Sequence, residues 1–300
     1  MRKIMEYHHK ERVLIEFGSN TTKVLVAKSS TDREGCLYSI PLRLAAKITK
    51  SGKLLASAVS SMMKIISDVQ KRFPHAQEVI LVGTEALRRA NNREEIQNTI
   101  YQNFKLKLRI LSWQEEAEAA FRGVQSEIHR PERIVCFDIG GSSTEIIQGH
   151  NNVIEHSLSF RLGAVDLSRK YILRTPLTNC MFSGILAEIC KTLIWKAPAS
   201  FTLVGIGGSV YTCAQVALNH EERSQTSSEA YKLSKSELFR QMQTYRALNV
   251  ADIAKIPGID ASRADIILPA VMIMLHILEI SNSNIIVVSN RGVRHGIMWP

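Results

Sequence analysis

Two segments of this chain, IEFGSNTTKVLV and FDIGGSSTEIIQ, are imperfect copies of one another. Aligning them pairs Glu16 with Asp138, Gly18 with Gly140, Thr22 with Thr144 and Val24 with Ile146, each pair 122 residues apart. Each copy reads as an apolar strand ending in an acid, a Gly-led turn rich in hydroxyls, and a second strand. Either copy alone is compatible with an ordinary β-hairpin. The period is too long for a solenoid, so the repeat points to two equivalent domains, and 300 residues are enough to build them.

Strand and helix patterns alternate along the chain, the signature of a layered α/β architecture. Residues 51–73 carry apolar side chains at helical spacing and meet the helix stop Pro74. The buried strand EVILVG follows, then one helix over residues 84–104, the strand LKLRIL and the helix WQEEAEAAFRGV. The polar stretch EIHRPE, with Pro131, reads as the domain boundary and divides the chain into residues 1–128 and 129–300.

Composition narrows the function classes. No window offers the ~18 uncharged apolar residues of a membrane-spanning helix; the nearest, residues 266–280, is interrupted by Pro269, His276 and Glu279. The charged start MRKIMEYHHKER lacks the apolar centre of a signal peptide, so a cytoplasmic location is expected. Five scattered cysteines without a CxxC pair argue against a disulfide framework or a zinc site. The net charge of +10 favours polyanions of any kind, phosphate chains included. No run interleaves basic and aromatic residues, so neither nucleic acid nor a membrane is the expected partner.

Two equivalent loops have a chemical use. Glycines let backbone approach a ligand, successive N–H groups form an anion-binding nest, and Ser, Thr and Asn side chains add donors for phosphate oxygens. The acid before each turn is placed to hold Mg²⁺ against those oxygens. A third turn, GIGGSVYTCA, leads from a strand into a helix whose N-terminus can accept an anion, or is simply a tight connection. Ser112 and Glu115 form an S-x-x-E capping box, which gives Glu115 a structural task and leaves Glu116 about 100° away around the helix.

These residues resemble the exopolyphosphatase and guanosine pentaphosphate phosphohydrolase family, within the superfamily of actin, hexokinase and Hsp70 ATPases. The similar blocks are LIEFGSNTTKVLV, LVGTEALRRANNREE, ILSWQEEAEAAFRGV, VCFDIGGSSTEII, FRLGAVDLS, LVGIGGSVYTCA, IPGIDASRADIILPAVMI and VVSNRGVRHGIM, in the family's order. The resemblance implies α/β architecture: two ribonuclease H-like domains with the active site in a cleft between them, in the short, two-domain form. It implies Mg²⁺-dependent removal of terminal phosphate from inorganic polyphosphate, with guanosine pentaphosphate a second candidate substrate. A non-catalytic sensor of the same ligands and an actin-like ATPase are the alternatives, and a homodimer is compatible with the sequence.

Carried onto this chain, the resemblance makes Glu116 the catalytic base and Arg88 a catalytic arginine. Phosphate binding falls to Gly18, Ser19, Asn20 and Thr21, to Gly140, Gly141, Ser142, Ser143 and Thr144, and secondarily to Gly207, Gly208 and Ser209. Asp138, Glu16 and Glu145 are the expected metal ligands. Arg263 matches a family arginine, or else forms an exposed pair with Asp265 at a helix start. The chain departs from the family pattern at Glu16 (usually Asp), Ser142 (usually Gly), Ala46 and Lys47 (usually a Gly-acid-Gly loop), and Asn290 and His295 (usually acids).

Overall fold

The computed structural model describes residues 11–28, 32, 35–128, 133–151, 153–172, 175–220 and 231–299. The chain divides into two compact units between Ser112 and Trp113. The sequence places the boundary some 16 residues later, in a stretch of which residues 129–132 lie outside the described ones. The helix that begins at Trp113 belongs with the second unit for a packing reason given below.

The first unit holds strands β1 (Arg12–Phe17), β2 (Thr21–Ala27), β3 (Cys36–Pro41), β4 (Glu78–Gly83) and β5 (Leu108–Ile110), and helices α1 (Ala56–Arg72), α2 (Glu85–Arg89) and α3 (Arg93–Phe104). The sheet order is β3-β2-β1-β4-β5, with β1 antiparallel to β2, β2 to β3, and β4 and β5 parallel to β1. Strand alternation sends Val13, Ile15 and Phe17 into one core with Val24 and Val26. Helix α1 covers that core with Ala58, Met62, Ile65, Ile66 and Val69, a stripe at helical spacing. Lys71 and Arg72 occupy its last turn, where they favour the helix dipole.

The single helix expected over residues 84–104 is two helices. The break falls at Asn91 and Asn92, weak helix formers whose side chains find better partners elsewhere. Asn91 Nδ2 donates to the Ser51 carbonyl at 2.8 Å, and Asn92 accepts from Leu54 N at 2.9 Å while donating to its carbonyl. The same contacts tie residues 51–54 into a turn, so α1 starts at Ala56 rather than at Ser51.

The second unit repeats the scheme. It contains α4 (Trp113–Gln125), β6 (Ile134–Ile139), β7 (Thr144–His150), β8 (Val153–Phe160), α5 (Ala164–Tyr171), α6 (Asn179–Thr192), β9 (Thr202–Ile206), α7 (Gly207–His220), β10 (Lys232–Ser234), α8 (Lys235–Ala247), α9 (Val250–Ile253), α10 (Ile267–Ile280), β11 (Ile285–Val288) and α11 (Val293–Met298). Its sheet order is β10-β11-β9-β6-β7-β8. Strands β6, β7 and β8 form the antiparallel meander, and β9 and β11 add in parallel, as β4 and β5 do in the first unit. The repeat seen in the sequence is thus a repeat of topology, the ribonuclease H-like order expected for each half.

The apolar stretch at 266–280 is a core helix. Ten of the fourteen residues of α10 are buried, and Pro269 sits in its first turn, where a missing N–H costs little. Among the described residues no helix is long and apolar enough to cross a membrane.

Candidate functional site

In open α/β sheets, ligands bind beyond the carboxyl ends of the parallel strands. Almost every residue singled out in the sequence lies at such an end. Glu16 is the last residue but one of β1 and the loop from Gly18 follows it, Arg88 lies on α2 directly after β4, and Glu116 on α4 directly after β5. In the second unit Asp138 and the loop from Gly140 close β6, and Gly207 opens α7 directly after β9. Glu145 is the exception: it lies on β7 and reaches the same edge as the cross-strand neighbour of Asp138.

Both loops are tight and buried. Gly18 has no room for a side chain because a Cβ would stand 2.7 Å from the Thr21 carbonyl, and at Gly140 the backbone N–H donates to the Ser143 carbonyl at 2.9 Å. Ser19, Asn20 and Thr21 in the first, and Ser142 and Ser143 in the second, are all buried. Each loop is held from outside by the segment after the third strand of its own unit. Leu42 and Arg43 donate N–H to the Asn20 carbonyl and Ala45 to that of Ser19. Ala164 donates to the Gly140 carbonyl, and Val165 and Asp166 to that of Gly141. In the first unit this brace is a short 3₁₀ turn, Leu44–Lys47, entered through Arg43 at φ 52°; in the second it is the start of α5. Gly163 lies so close under the second loop that a methyl group there would overlap the Ser142 nitrogen and Gly141.

Buried polar atoms without a protein partner mark both loop tips. Asn20 Oδ1 and Thr22 Oγ1 in the first loop, and Ser142 Oγ in the second, make no hydrogen bond, in residues only 7%, 0% and 3% exposed. Asn20 and Ser142 are equivalent positions of the repeat. Leaving such an atom unpaired costs about 1–3 kcal/mol, a cost that a ligand's oxygens or hydroxyls can offset. In the second loop the equivalent of Thr22 is satisfied, since Thr144 Oγ1 donates to the Leu162 carbonyl at 2.6 Å.

The acids differ between the copies. Glu16 stands opposite Lys23 in the β1–β2 register, so an ammonium faces the carboxylate. Asp138 stands opposite Glu145 in the β6–β7 register, two carboxylates on one face of adjacent strands. Glu145 is buried and accepts from Ser159 Oγ at 2.9 Å. Burial, and after it the negative charge of Asp138, push the thiol of Cys136 up, consistent with Cys136 and Asp138 sharing a strand face. Like charges directly opposite are destabilising, and two hard carboxylate oxygens are the donor set with which Mg²⁺ is held beside phosphate. These residues therefore fit the metal. Among the described residues no cluster of three His, Cys, Asp or Glu side chains gathers, and Mg²⁺ does not need one.

Gly207 and Gly208 are fixed by what flanks them. Gly207 has φ 86°, and a Cβ on it would overlap Asp138 Oδ1; one on Gly208 would overlap the Arg263 guanidinium. The N-terminus of α7 thus lies between a carboxylate and a guanidinium, with Ser209 buried behind them. Arg263 is not the exposed helix-start residue that the sequence allowed. Its side chain is 9% exposed, with Nε 3.8 Å from Asp260 Oδ2. That burial, and the bracing role of Gly163, were not legible in the sequence; a Gly inside FRLGAVDLS was the only hint.

Arg88 is anchored by three hydrogen bonds to two partners. Nε and Nη2 donate to Glu85 Oε2 at 3.2 and 3.0 Å, and Nη1 donates to the Leu111 carbonyl at 2.8 Å. Leu111 immediately precedes Ser112, the N-cap position of α4, so Glu115 is at N3 and Glu116 one step further round, both half-buried. Helix α4 packs on α11 through small residues. A Cβ on Gly296 would overlap the Ala119 carbonyl, and one on Gly123 that of Gly292. Ser289 Oγ donates to Glu127, and Arg291 Nη1 donates to the Ser126 carbonyl at 2.9 Å. Backbone contact this close is why Glu116 travels with the second unit. Of the remaining departures, His295 is buried on α11, whereas Asn290 and Ala46 are exposed.

Solved structures share this fold. A solved exopolyphosphatase structure from Cytophaga hutchinsonii superposes with a TM-score of 0.86 at 23% identity, covering 96% of each chain. The Aquifex aeolicus Ppx/GppA family member superposes at 0.81 and 22%, again covering 96% of each. Two curated relatives are a bifunctional 3-dehydroquinate synthase/phosphatase of Fusobacterium nucleatum and a guanosine-5'-triphosphate,3'-diphosphate pyrophosphatase of Aliivibrio fischeri. The first is 26% identical over 93% of this chain and 44% of its own length, the second 25% over 95% and 58%. The chain spans about half the length of the curated relatives it matches. The structural matches show the fold that this chain shares with those proteins, and with the model of the Ppx/GppA phosphatase family matching residues 39–299, the chain belongs to that family.

Proposed function

We propose that this protein hydrolyses terminal phosphoanhydride bonds of inorganic polyphosphate, that guanosine pentaphosphate is a second substrate, and that the reaction uses Mg²⁺. One observation carries the reading: the fold duplicates a buried, hydroxyl-lined loop with unpartnered polar atoms, and only one copy backs it with two carboxylates. Names among the relatives, an exopolyphosphatase and a guanosine-5'-triphosphate,3'-diphosphate pyrophosphatase, suggest the substrate class.

Phosphoanhydride hydrolysis needs a positioned water, in-line attack on the terminal phosphorus and neutralisation of charge on the equatorial oxygens. The loop of Gly18, Ser19, Asn20 and Thr21, and that of Gly140, Gly141, Ser142, Ser143 and Thr144, would hold phosphate oxygens through N–H and hydroxyl donors. Gly207, Gly208 and Ser209 would add free N–H groups at the start of α7, with Arg263 supplying positive charge beside them. Asp138 and Glu145 would hold the Mg²⁺, and bound there it would supply charge neutralisation. Glu116 would orient the attacking water and accept its proton, a contribution typically of about 10²- to 10⁴-fold. Arg88, held by Glu85 and the Leu111 carbonyl, would be the catalytic arginine, its planar fork suited to phosphate oxygens.

The test is phosphate release from polyphosphate and from guanosine pentaphosphate, each with Mg²⁺ and with chelator. Release that requires Mg²⁺ supports the reading. Tight binding of polyphosphate without turnover would replace it with the sensor, and ATP as the sole substrate would replace it with the ATPase.

A further inference from the structure

Helices α6 and α10 bring Cys190 and His276 together, far along the chain from any loop discussed above. Cys190 is exposed, and its Sγ lies 3.8 Å from His276 Nδ1, within reach of a sulfur hydrogen bond. The other ring nitrogen, Nε2, is 2.9 Å from the Leu193 carbonyl, just past the end of α6. A carbonyl oxygen only accepts, so Nε2 carries the proton. In the neutral ring Nδ1 then presents a lone pair to the thiol. Thiol and base are adjacent, and the base is oriented by a third group, the arrangement that activates a nucleophile.

Glu279, three residues on along α10, is held ionised chiefly by Lys235, and it also interacts electrostatically with His276. The remaining thiols divide cleanly: Cys136 and Cys213 are buried, while Cys36 and Cys180 are exposed.

We infer that Cys190 and His276 form a proton-transfer pair that makes Cys190 a modification site for small-molecule disulfides. The Cys190 thiol gives its proton to His276 Nδ1; the thiolate attacks one sulfur of the disulfide, a new S–S bond forms, and the old one breaks. The departing thiolate takes up the proton from Nδ1, so the step consumes one disulfide and releases one thiol. Nothing in this inference depends on the phosphate chemistry.

The experiment follows mixed-disulfide formation with oxidised glutathione at pH 7 on the full chain, site by site, by peptide mass spectrometry. In His276→Gln, an N–H can still reach Leu193 but no group can take the thiol proton. The Cys190 rate should fall at least about tenfold, the rates at Cys36 and Cys180 should stay as they are, and Cys136 and Cys213 should stay unmodified. An unchanged Cys190 rate overturns the inference. Should the variant expose its buried thiols and so reveal unfolding, the wild-type chain decides alone. Cys190 should react faster in the native protein than in concentrated urea, where His276 is no longer beside it, and a native rate at or below the denatured one overturns the inference.

Discussion

The loops after β1 and β6 share one backbone design and differ in charge. Both begin at a glycine that a Cβ would crowd, both bury hydroxyls, and both have their carbonyls tied down by the chain after a third strand. Where the first sets Glu16 against Lys23, the second sets Asp138 against Glu145. A carboxylate facing an ammonium is balanced within the protein, whereas two facing carboxylates improve when a cation arrives. The comparison teaches that duplication preserved the backbone design of the loop while the charges behind it diverged.

The hardest break would come at the second loop. Asp138→Asn should reduce Mg²⁺-dependent phosphate release to the level of a no-enzyme control while leaving the melting temperature intact or higher, since one of two opposed charges is gone. Retained turnover would show that the loops do not divide the labour in this way. Next in size is the proposed base, Glu116. Glu116→Gln should cut kcat by at least about 10²-fold with folding preserved, whereas Glu115→Gln should keep most activity because Gln also serves at N3. Equal losses in both would remove the distinction between them.

The bracing differs too, and stability measurements can sharpen it. Gly163→Ala should destabilise the second unit by about 1–3 kcal/mol in denaturant titration, because the added methyl meets the backbone of the second loop. An unchanged midpoint would mean the loop can move aside. Smaller still is the charge swap Lys23→Glu, which writes the second loop's carboxylate pair into the first. It should cost about 1 kcal/mol, and Mg²⁺ should recover part of that in a thermal melt; recovery equal to that of wild type would argue that register pairing does not govern cation binding. Glu16→Asp, which restores the family's usual residue, should leave kcat unchanged or raise it modestly. A large loss would mean that the longer side chain is matched to Lys23.

Much was written locally. Alternating and helical periodicities located β1, β2, β4, β6, α1 and α4, because a buried face imposes its period on the sequence whatever it packs against. The offset between Glu16 and Asp138 disclosed the duplication, since equivalent strand ends need equivalent residues. Other features had no local trace. Asn91 and Asn92 break a helix only because residues 51–54 supply their partners. Glu116 belongs with the second unit only because Gly296 and Gly123 let α4 and α11 touch backbone to backbone. Arg263 reads as a surface residue until Gly208 is found against its guanidinium.

The sequence by itself determined the alternation of strands and helices, the two Gly-led loops and the acids before them, because propensity, periodicity and turn chemistry act over a few residues. The tertiary structure alone decided which charge faces which. That Glu16 meets Lys23 while Asp138 meets Glu145 depends on strand register, and register is set by the whole sheet rather than by any one loop.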